Sequence, residues 1–532
     1  MAASGFLYTV ATFVAGIPIV LYIVLPILLR SIGNVAGTYL RKKTEGRRIQ
    51  LLDLMAADEK AFAQEKELRK GKETDKSIDK DEGEFAPKDW AGIVAFFHPF
   101  CNAGGGGERV LWAAIRATQK RYPRALCVVY TGDHEVNKQQ ILARVKNRFN
   151  IDLHPPTVNF LYLSTRHLVL ASTWPHFTLL GQSLGSMVMA WDAFQLLAPD
   201  IFIDTMGYAF ALGLSKFLFP RVPTSAYVHY PTISTDMLES LDPKSATGSL
   251  GVNAGKGVGT RGKVKRVYWQ LFAKLYSRAG SSVDIVMTNS TWTQDHIQKL
   301  WGPHRKAKGR NALPTAVYPP CAVEELEAAV DVSAASESRR EKVIIYIAQF
   351  RPEKNHTLVV QAFAEFLKTE SEASKGARLV LLGSVRDDHD SKRVYQLRIL
   401  VNELGVRDSV DFHLDASWPE ILEWLQKASV GANGMWNEHF GIGVVEYQAA
   451  GLISVVHDSG GPKLDIVVEV DGKPTGFHAT SVHDFAQGFE KALSVPDPLA
   501  MRLRAHQSAK RFTEGEFARK WVAQTDALVA MT

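Results

Sequence analysis

Cysteine is scarce in this 532-residue chain: Cys101, Cys127 and Cys321 stand far apart, with no Cys-x-x-Cys pair among them. That spacing excludes a disulfide framework or a cysteine zinc site and fits a reducing compartment. A large excess of one charge is also missing. The net charge of +6 favours an anionic membrane surface or a phosphate ligand, and is too small to argue for nucleic acid as a partner. Hydrophobic residues, by contrast, are plentiful at 46%, so wholesale disorder is excluded.

One apolar run is long. "GFLYTVATFVAGIPIVLYIVLPILL", Gly5 to Leu29, carries no charge and exceeds the roughly 20 residues that span a bilayer. A signal peptide has a shorter apolar core and a cationic start. Arg30, Arg41, Lys42, Lys43, Arg47 and Arg48 follow, which by the positive-inside rule keeps the rest of the chain cytoplasmic. The expectation is a transmembrane anchor over 1–31. A charged linker then runs over 32–88, as a solvated helix or a flexible segment without a core.

Beyond it the grammar is α/β. "GIVAFFHPF", "ALCVVYTGD", "PDIFIDT", "TSAYVHY" and "DIVMTNS" read as buried parallel strands alternating with helices such as "ERVLWAAIRATQKRY" and "TWTQDHIQKLW". A second series starts near 341: "KVIIYIAQF", "ARLVLLGS", "VDFHL", "ASVGANG" and "ISVVHDS". Between them, a proline pair and an Ala/Ser-rich stretch mark a boundary. The expectation is two doubly wound domains, 89–321 and 341–532, joined by a linker over 322–340 and facing one cleft. The last helix is expected to pack back on the first domain. Two apolar segments, 167–197 and 207–223, read either as buried core helices or as elements that dip into a membrane face, with Trp174 and Trp191 near the interface. The basic, glycine-rich stretch 248–266 reads as a surface loop or a contact for lipid head groups or a pyrophosphate.

Three motifs carry chemistry. "FCNAGGGGERV" sets Gly104 to Gly107 between a strand and a helix, where bare backbone can approach a ligand and a helix N-terminus faces it. It is neither Gly-x-Gly-x-x-Gly nor a P-loop. "AQFRPEKNH" puts Arg351 and Lys354 at a strand's carboxyl end, placed to hold a diphosphate, although in isolation a Pro-containing turn with solvated charges is the favoured reading. "NEHFGIGVVEYQAAG" sets Glu438 on a loop and Glu446 in the second turn of a helix that Gly451 ends. Two carboxylates so spaced can take the hydroxyls at opposite ends of a sugar nucleotide, hexose and ribose, while the glycine helix start between them faces the diphosphate.

The Glu-x7-Glu pattern of Glu438 and Glu446, the Arg-Pro-Glu-Lys run, the glycine loop and the tandem α/β halves resemble the large family 4 of retaining glycosyltransferases with GT-B fold. Within it, "FFHPFCNAGGGGERVLW", "YVHYPTISTDM", "AQFRPEKNH" and "NEHFGIGVVEYQAAG" are similar to the members that use GDP-mannose to extend the dolichol-linked oligosaccharide. The resemblance implies two successive α-1,2-mannose additions to a Man3GlcNAc2-PP-dolichol acceptor, without metal or other cofactor. It implies a single-pass protein of the endoplasmic reticulum membrane with cytosolic catalytic domains, and puts other mannosyltransferases of the same pathway among its candidate partners. Carried over by position, Arg351 and Lys354 bind the diphosphate, Glu438 the mannose and Glu446 the ribose. Gly105, Gly106 and Gly107 line the donor–acceptor junction, and Phe440, Gly441 and Ile442 belong to the donor site. His229, in "YVHYP", stands near the reacting carbon or is a structural histidine of the cleft. Glu438, His229 and Lys354 are thus the catalytic candidates. Many members have arginine about five residues before the lysine, whereas here Gln349 stands near that place and Arg351 is three before it. The "SGGPKLDIV" turn, 459–467, is a candidate wall of the donor site. Rival readings are a non-catalytic membrane scaffold on a degenerate transferase and another sugar-nucleotide enzyme of the same fold.

Overall fold

The strands form where short apolar runs, rich in β-branched and aromatic residues, can be covered on both faces. In a computed structural model, which describes residues 24–70, 86–242 and 259–532, they make two wholly parallel sheets. The first comprises β1 (Ile93–Phe97), β2 (Leu126–Thr131), β3 (Val158–Tyr162), β4 (Ile201–Asp204), β5 (Thr224–Val228), β6 (Ile285–Thr288) and β7 (Thr315–Ala316), in the order β3-β2-β1-β4-β5-β6-β7. The second comprises β8 (Glu341–Ile347), β9 (Arg378–Gly383), β10 (Val410–Leu414), β11 (Ala428–Asn433), β12 (Ile453–His457) and β13 (Gly476–Ala479), in the order β10-β9-β8-β11-β12-β13. Every residue of β1, β2 and β11 is buried. In each sheet the order reverses once, between β1 and β4 and between β8 and β11. Ligands of such sheets bind outside the carboxyl ends at that reversal. β3, β7 and β13 join the strands the motifs mark out.

The segment read as a linker over 32–88 differs from that reading. One helix, Leu25–Lys70, runs through the boundary drawn at residue 31. It is not coreless: Leu40, Thr44 and Leu51 are buried, spaced by four and seven so that they share one face. Gly33 and Gly37 let it close on the helix Ala209–Leu218, where a Cβ at either would fall within 2.4 Å of a carbonyl oxygen. Arg48 pairs with Asp200 at 2.7 Å. Residues 71–85 lie outside the described residues, as does the apolar run Gly5–Leu29 apart from 24–29. Among the described residues no helix is long and apolar enough to cross a membrane.

Three further segments take definite form. Residues 178–196 are a helix with Gly181, Gly185, Met189, Ala193 and Phe194 buried and Leu184, Val188 and Trp191 exposed. Of the basic loop, 259–266 is helical, the start of Gly259–Gly280, while 248–258, with Lys256, lies outside the described residues. Between the sheets, Val323–Ala329 is helical, with Val323 and Leu326 in the second domain's core.

The chain's last helix, Glu514–Val529, crosses back to the first domain. Trp521 is fully buried there, stacks on Phe96 at 6.2 Å and donates its indole N–H to Thr118 at 3.0 Å. Arg121 and Tyr122 both bond Asp526.

Candidate active site

The second sheet supplies a charged pair at its reversal. After β8 the chain makes a short turn, Pro352–Lys354, held by the Tyr346 hydroxyl, which donates to the Lys354 carbonyl at 2.5 Å. Lys354 Nζ then reaches Glu438 Oε2, on the loop after β11, at 2.5 Å. Asn433 Nδ2 lies 3.5 Å from the same oxygen. Burial alone would raise the Glu438 carboxyl, but the charge and hydrogen bond of Lys354 outweigh it and hold the group below the usual carboxylate range. Arg351 is more exposed and only 3.8 Å from Glu353, so its guanidinium is loosely held. Gln349 accepts a bond from Arg386 at 3.0 Å.

The loop bearing Glu438 has little freedom. Gly460 and Gly461 lie flush against it: a Cβ would sit 2.2 Å from the Glu438 carbonyl oxygen at the first and 2.4 Å from the Phe440 carbonyl oxygen at the second. Gly461 N–H donates to the Glu438 carbonyl at 2.8 Å. The "SGGPKLDIV" segment is therefore a wall behind the loop. Its Asp465 bonds the first domain as well, accepting from Thr291 N–H at 3.0 Å and from the Tyr318 hydroxyl at 3.0 Å. The Phe440 ring is only 3% exposed and packs on Tyr318 and Phe512. Its side chain is engaged in the core and its backbone lies against Gly461. Gly441 adopts φ +108°, open to glycine at little strain, and starts the helix Ile442–Ala449.

The first domain meets this site with its glycine loop. Gly106 faces Ile442, whose Cδ1 would be 2.8 Å from a Cβ there, so the two loops touch at this point and any larger residue at 106 would have to displace the end of that side chain. Gly105 N–H is taken up by Glu108 Oε2 at 2.7 Å. A Cβ on Gly107 would lie 3.7 Å from His229 Nε2. That nitrogen is buried and has no hydrogen-bond partner among the described residues. Burial pushes the His229 imidazole down to about 4, against a bond to the Thr205 backbone that favours the cation. His229 is neutral at neutral pH, with one ring nitrogen free for a ligand.

Glu446 points from the helix Ile442–Ala449 into the field of Arg109, in the first turns of the helix Gly106–Arg121. Burial pushes its carboxyl up to about 7; Arg109 opposes the rise and Glu325 adds to it. Lys354, Glu438, the three glycines, Gly441, Ile442 and His229 thus converge, Glu446 stands one helical turn below, and Arg351 lies at the rim. The motifs did not disclose Asn433, Arg109 or Asp465. Asn433 stands only five residues before Glu438, but Asp465 bonds residues 174 and 147 positions away and Arg109 acts on the charge of Glu446, relations no local pattern records.

The comparisons bear on the same architecture. Residues 91–301 match the model described as ALG11 mannosyltransferase N-terminus, and 332–512 match Glycosyl transferases group 1. A Neurospora crassa protein named GDP-Man:Man(3)GlcNAc(2)-PP-Dol alpha-1,2-mannosyltransferase is 67% identical, over 99% of this chain and 98% of its own length. Proteins of the same name from Homo sapiens and Dictyostelium discoideum are 46% and 41% identical, each over 82% of this chain and over 87% and 85% of their own lengths. Among solved structures, the Anabaena protein HepE with UDP and glucose superposes with a TM-score of 0.53 at 15% identity, over 82% of this chain and 99% of its own. The Candida albicans trehalose-6-phosphate phosphatase N-terminal domain does so with a TM-score of 0.59 at 12% identity, over 84% and 100%. At such identities these neighbours speak for the GT-B fold alone. With two family models on its two halves and relatives this similar over nearly its whole length, the chain belongs to the GDP-Man:Man(3)GlcNAc(2)-PP-Dol alpha-1,2-mannosyltransferases.

Proposed function

We propose that the chain transfers two α-1,2-linked mannoses from GDP-mannose to Man3GlcNAc2-PP-dolichol, with retention of configuration. The observation that carries this reading is the Lys354–Glu438 pair at the second sheet's reversal, opposite the glycine loop and the free Nε2 of His229. Lys354 and Arg351 hold the diphosphate, Glu438 the mannose and Glu446 the ribose. As the C1–O bond to GDP breaks, charge grows on the departing phosphate and the mannosyl carbon becomes cationic. Fixed cations beside that phosphate lower the barrier most, and the reading includes no metal. The acceptor hydroxyl attacks from the side the phosphate leaves, which keeps the α configuration, and its proton passes to that phosphate. His229 Nε2 accepts a hydrogen bond from a sugar hydroxyl at the junction. Purified protein given GDP-mannose and a short-chain lipid-linked trimannosyl acceptor tests this. The product mass is expected to grow by two hexoses, and an unchanged acceptor refutes the reading.

Glu446 supplies a pH test. Its carboxyl is raised, so the free enzyme holds the proton below about pH 7, whereas a ribose hydroxyl donates to the carboxylate. GDP affinity is expected to rise from about pH 6 to about pH 8. Titrations near pH 7 in buffers of different ionisation enthalpy should show proton release, and Glu446→Gln should lose that share of it. Identical release in both proteins refutes the assignment.

We also place the enzyme at the endoplasmic reticulum membrane, catalytic domains cytosolic, with Gly5–Leu29 as its span. Exposed apolar side chains among the described residues support this. Ile27, Leu28, Ile32 and Val35 are exposed, as are Leu184, Val188 and Trp191 on the helix Thr178–Leu196 and Val264, Val267, Leu271 and Leu275 on Gly259–Gly280. Exposed Arg261, Lys263, Lys274 and Arg278 accompany them, the mixture that suits anionic head groups. Removal of residues 1–30 is expected to leave transfer in detergent to a short-chain acceptor intact, since among the described residues 24–32 are all exposed and the first buried position of the helix is Gly33. A folded but inactive truncation would show that the span helps build the acceptor site.

A further inference from the structure

Glu438 belongs to the second domain, yet the first domain grips the residues on both sides of it. The Asn437 side-chain amide donates to Asp236. The His439 ring stacks on Tyr230, centroids 4.1 Å apart and planes 27° apart, and lies 5.3 Å from Trp292 at 24°. Tyr230 and Trp292 are themselves nearly parallel, at 8°. Behind them His296 packs edge-on against Trp292 at 4.1 Å, with its Nε2 3.4 Å from Asp236. The Glu438 carboxylate turns the other way, to Lys354 and Asn433 of its own domain.

We propose that His439 is a positioning residue, whose stack on Tyr230 and Trp292 clasps the two domains together and sets Glu438 against the acceptor side of the cleft. The inference rests on the transferase reading above. Aromatic rings in offset stacks attract one another beyond the area they bury. Burial also keeps the His439 imidazole neutral, so the stack places no unbalanced charge in the interface. The lever is short, because the backbone from Asn437 to Phe440 is pinned behind by Gly460 and Gly461. A shift of His439 therefore becomes a shift of Glu438, and a misplacement near 1 Å at a reacting centre can cost about a hundredfold in rate. GDP itself needs only groups of the second domain in this reading, so the clasp acts on turnover and not on nucleotide binding.

The test uses the full-length enzyme and the variants His439→Ala, His439→Phe and Trp292→Leu, each first shown by its melting curve to be folded. His439→Ala and Trp292→Leu are expected to lower kcat by roughly tenfold or more, although they lie in different domains. GDP affinity by calorimetry should stay within about threefold, and small-angle scattering should show a more open molecule. His439→Phe, which keeps a ring to stack, should recover most of the rate. Near-normal kcat in His439→Ala or Trp292→Leu overturns the proposal. So does a phenylalanine variant as slow as alanine, which would mean the imidazole touches substrate, or a large loss of GDP affinity. If the wild type itself transfers no mannose, it is the transferase reading that has failed, and scattering alone then judges the clasp: unchanged compactness in His439→Ala refutes it.

Discussion

Lys354→Ala and Glu438→Ala are each expected to lower turnover by at least about a hundredfold, the scale at which a fixed electrostatic contact to a transition state is lost. Each half of the pair has its own task. Lys354 meets the charge that grows on the departing diphosphate. Glu438 holds the hexose whose C1 is being released. The 2.5 Å contact between them adds a coupling that independent roles would not have. Without Lys354, burial is left to raise the Glu438 carboxyl, so the alanine variant at 354 loses both a cation and part of an ionised acceptor. The double variant should then be little slower than the worse single one, as residues that act as a unit are not additive. Steady-state rates measured beside melting curves check this. Near-normal turnover in either folded variant would remove the pair from the mechanism.

The second large effect divides the ligand between the glutamates. Glu446→Gln keeps size and some hydrogen bonding but loses charge-assisted bonds, which are roughly twice as strong as neutral ones. If Glu446 holds the ribose, GDP should bind about tenfold more weakly and the Michaelis constant for GDP-mannose should rise. Affinity for the lipid acceptor should barely change. Glu438→Gln should do the opposite, because mannose is absent from GDP: nucleotide affinity survives and turnover falls. Calorimetric titration of GDP into both variants decides it, and equal affinities would mean that the two carboxylates do not divide the ligand.

Much of this was readable from local pattern. Buried parallel strands are short unbroken apolar runs, so β1, β2, β8, β11 and β12 stand out in the text of the chain. The motif residues sit at their carboxyl ends because that is where a doubly wound sheet must put a site. β3, "VNFLY", and β7, two residues long, carry too little signal of their own and exist because a sheet edge was waiting for them. The packing of the helix Leu25–Lys70 is hidden in the sequence for a different reason. Its buried positions are few and its surface is heavily charged, so composition suggested solvent where Gly33 and Gly37 permit close packing. In the site, Glu438 is legible from its spacing to Glu446, and Lys354 from its place in the Arg-Pro-Glu-Lys run once the resemblance is drawn. Their direct contact is not, nor is the opposition of Arg109 and Glu446, since both depend on how two sheets are set across a cleft. Arg351 shows the converse: its motif placed it beside the lysine, and the fold leaves it nearer to solvent.

The helix Glu514–Val529 has a consequence for how the molecule is made. The first domain's hydrophobic interior includes Phe517, Trp521, Val522 and Leu528, which are made only after every strand of the second sheet. Domains emerging during synthesis generally fold in order, amino-terminal first. Here the first to emerge cannot finish: Phe96 and Thr118 wait for Trp521, and the Arg121–Tyr122 corner waits for Asp526. Until residues 517–528 have been made the nascent chain holds an open seam in its first sheet layer, and a chain stopped at residue 512 would leave that seam unfilled while every motif of the cleft is present.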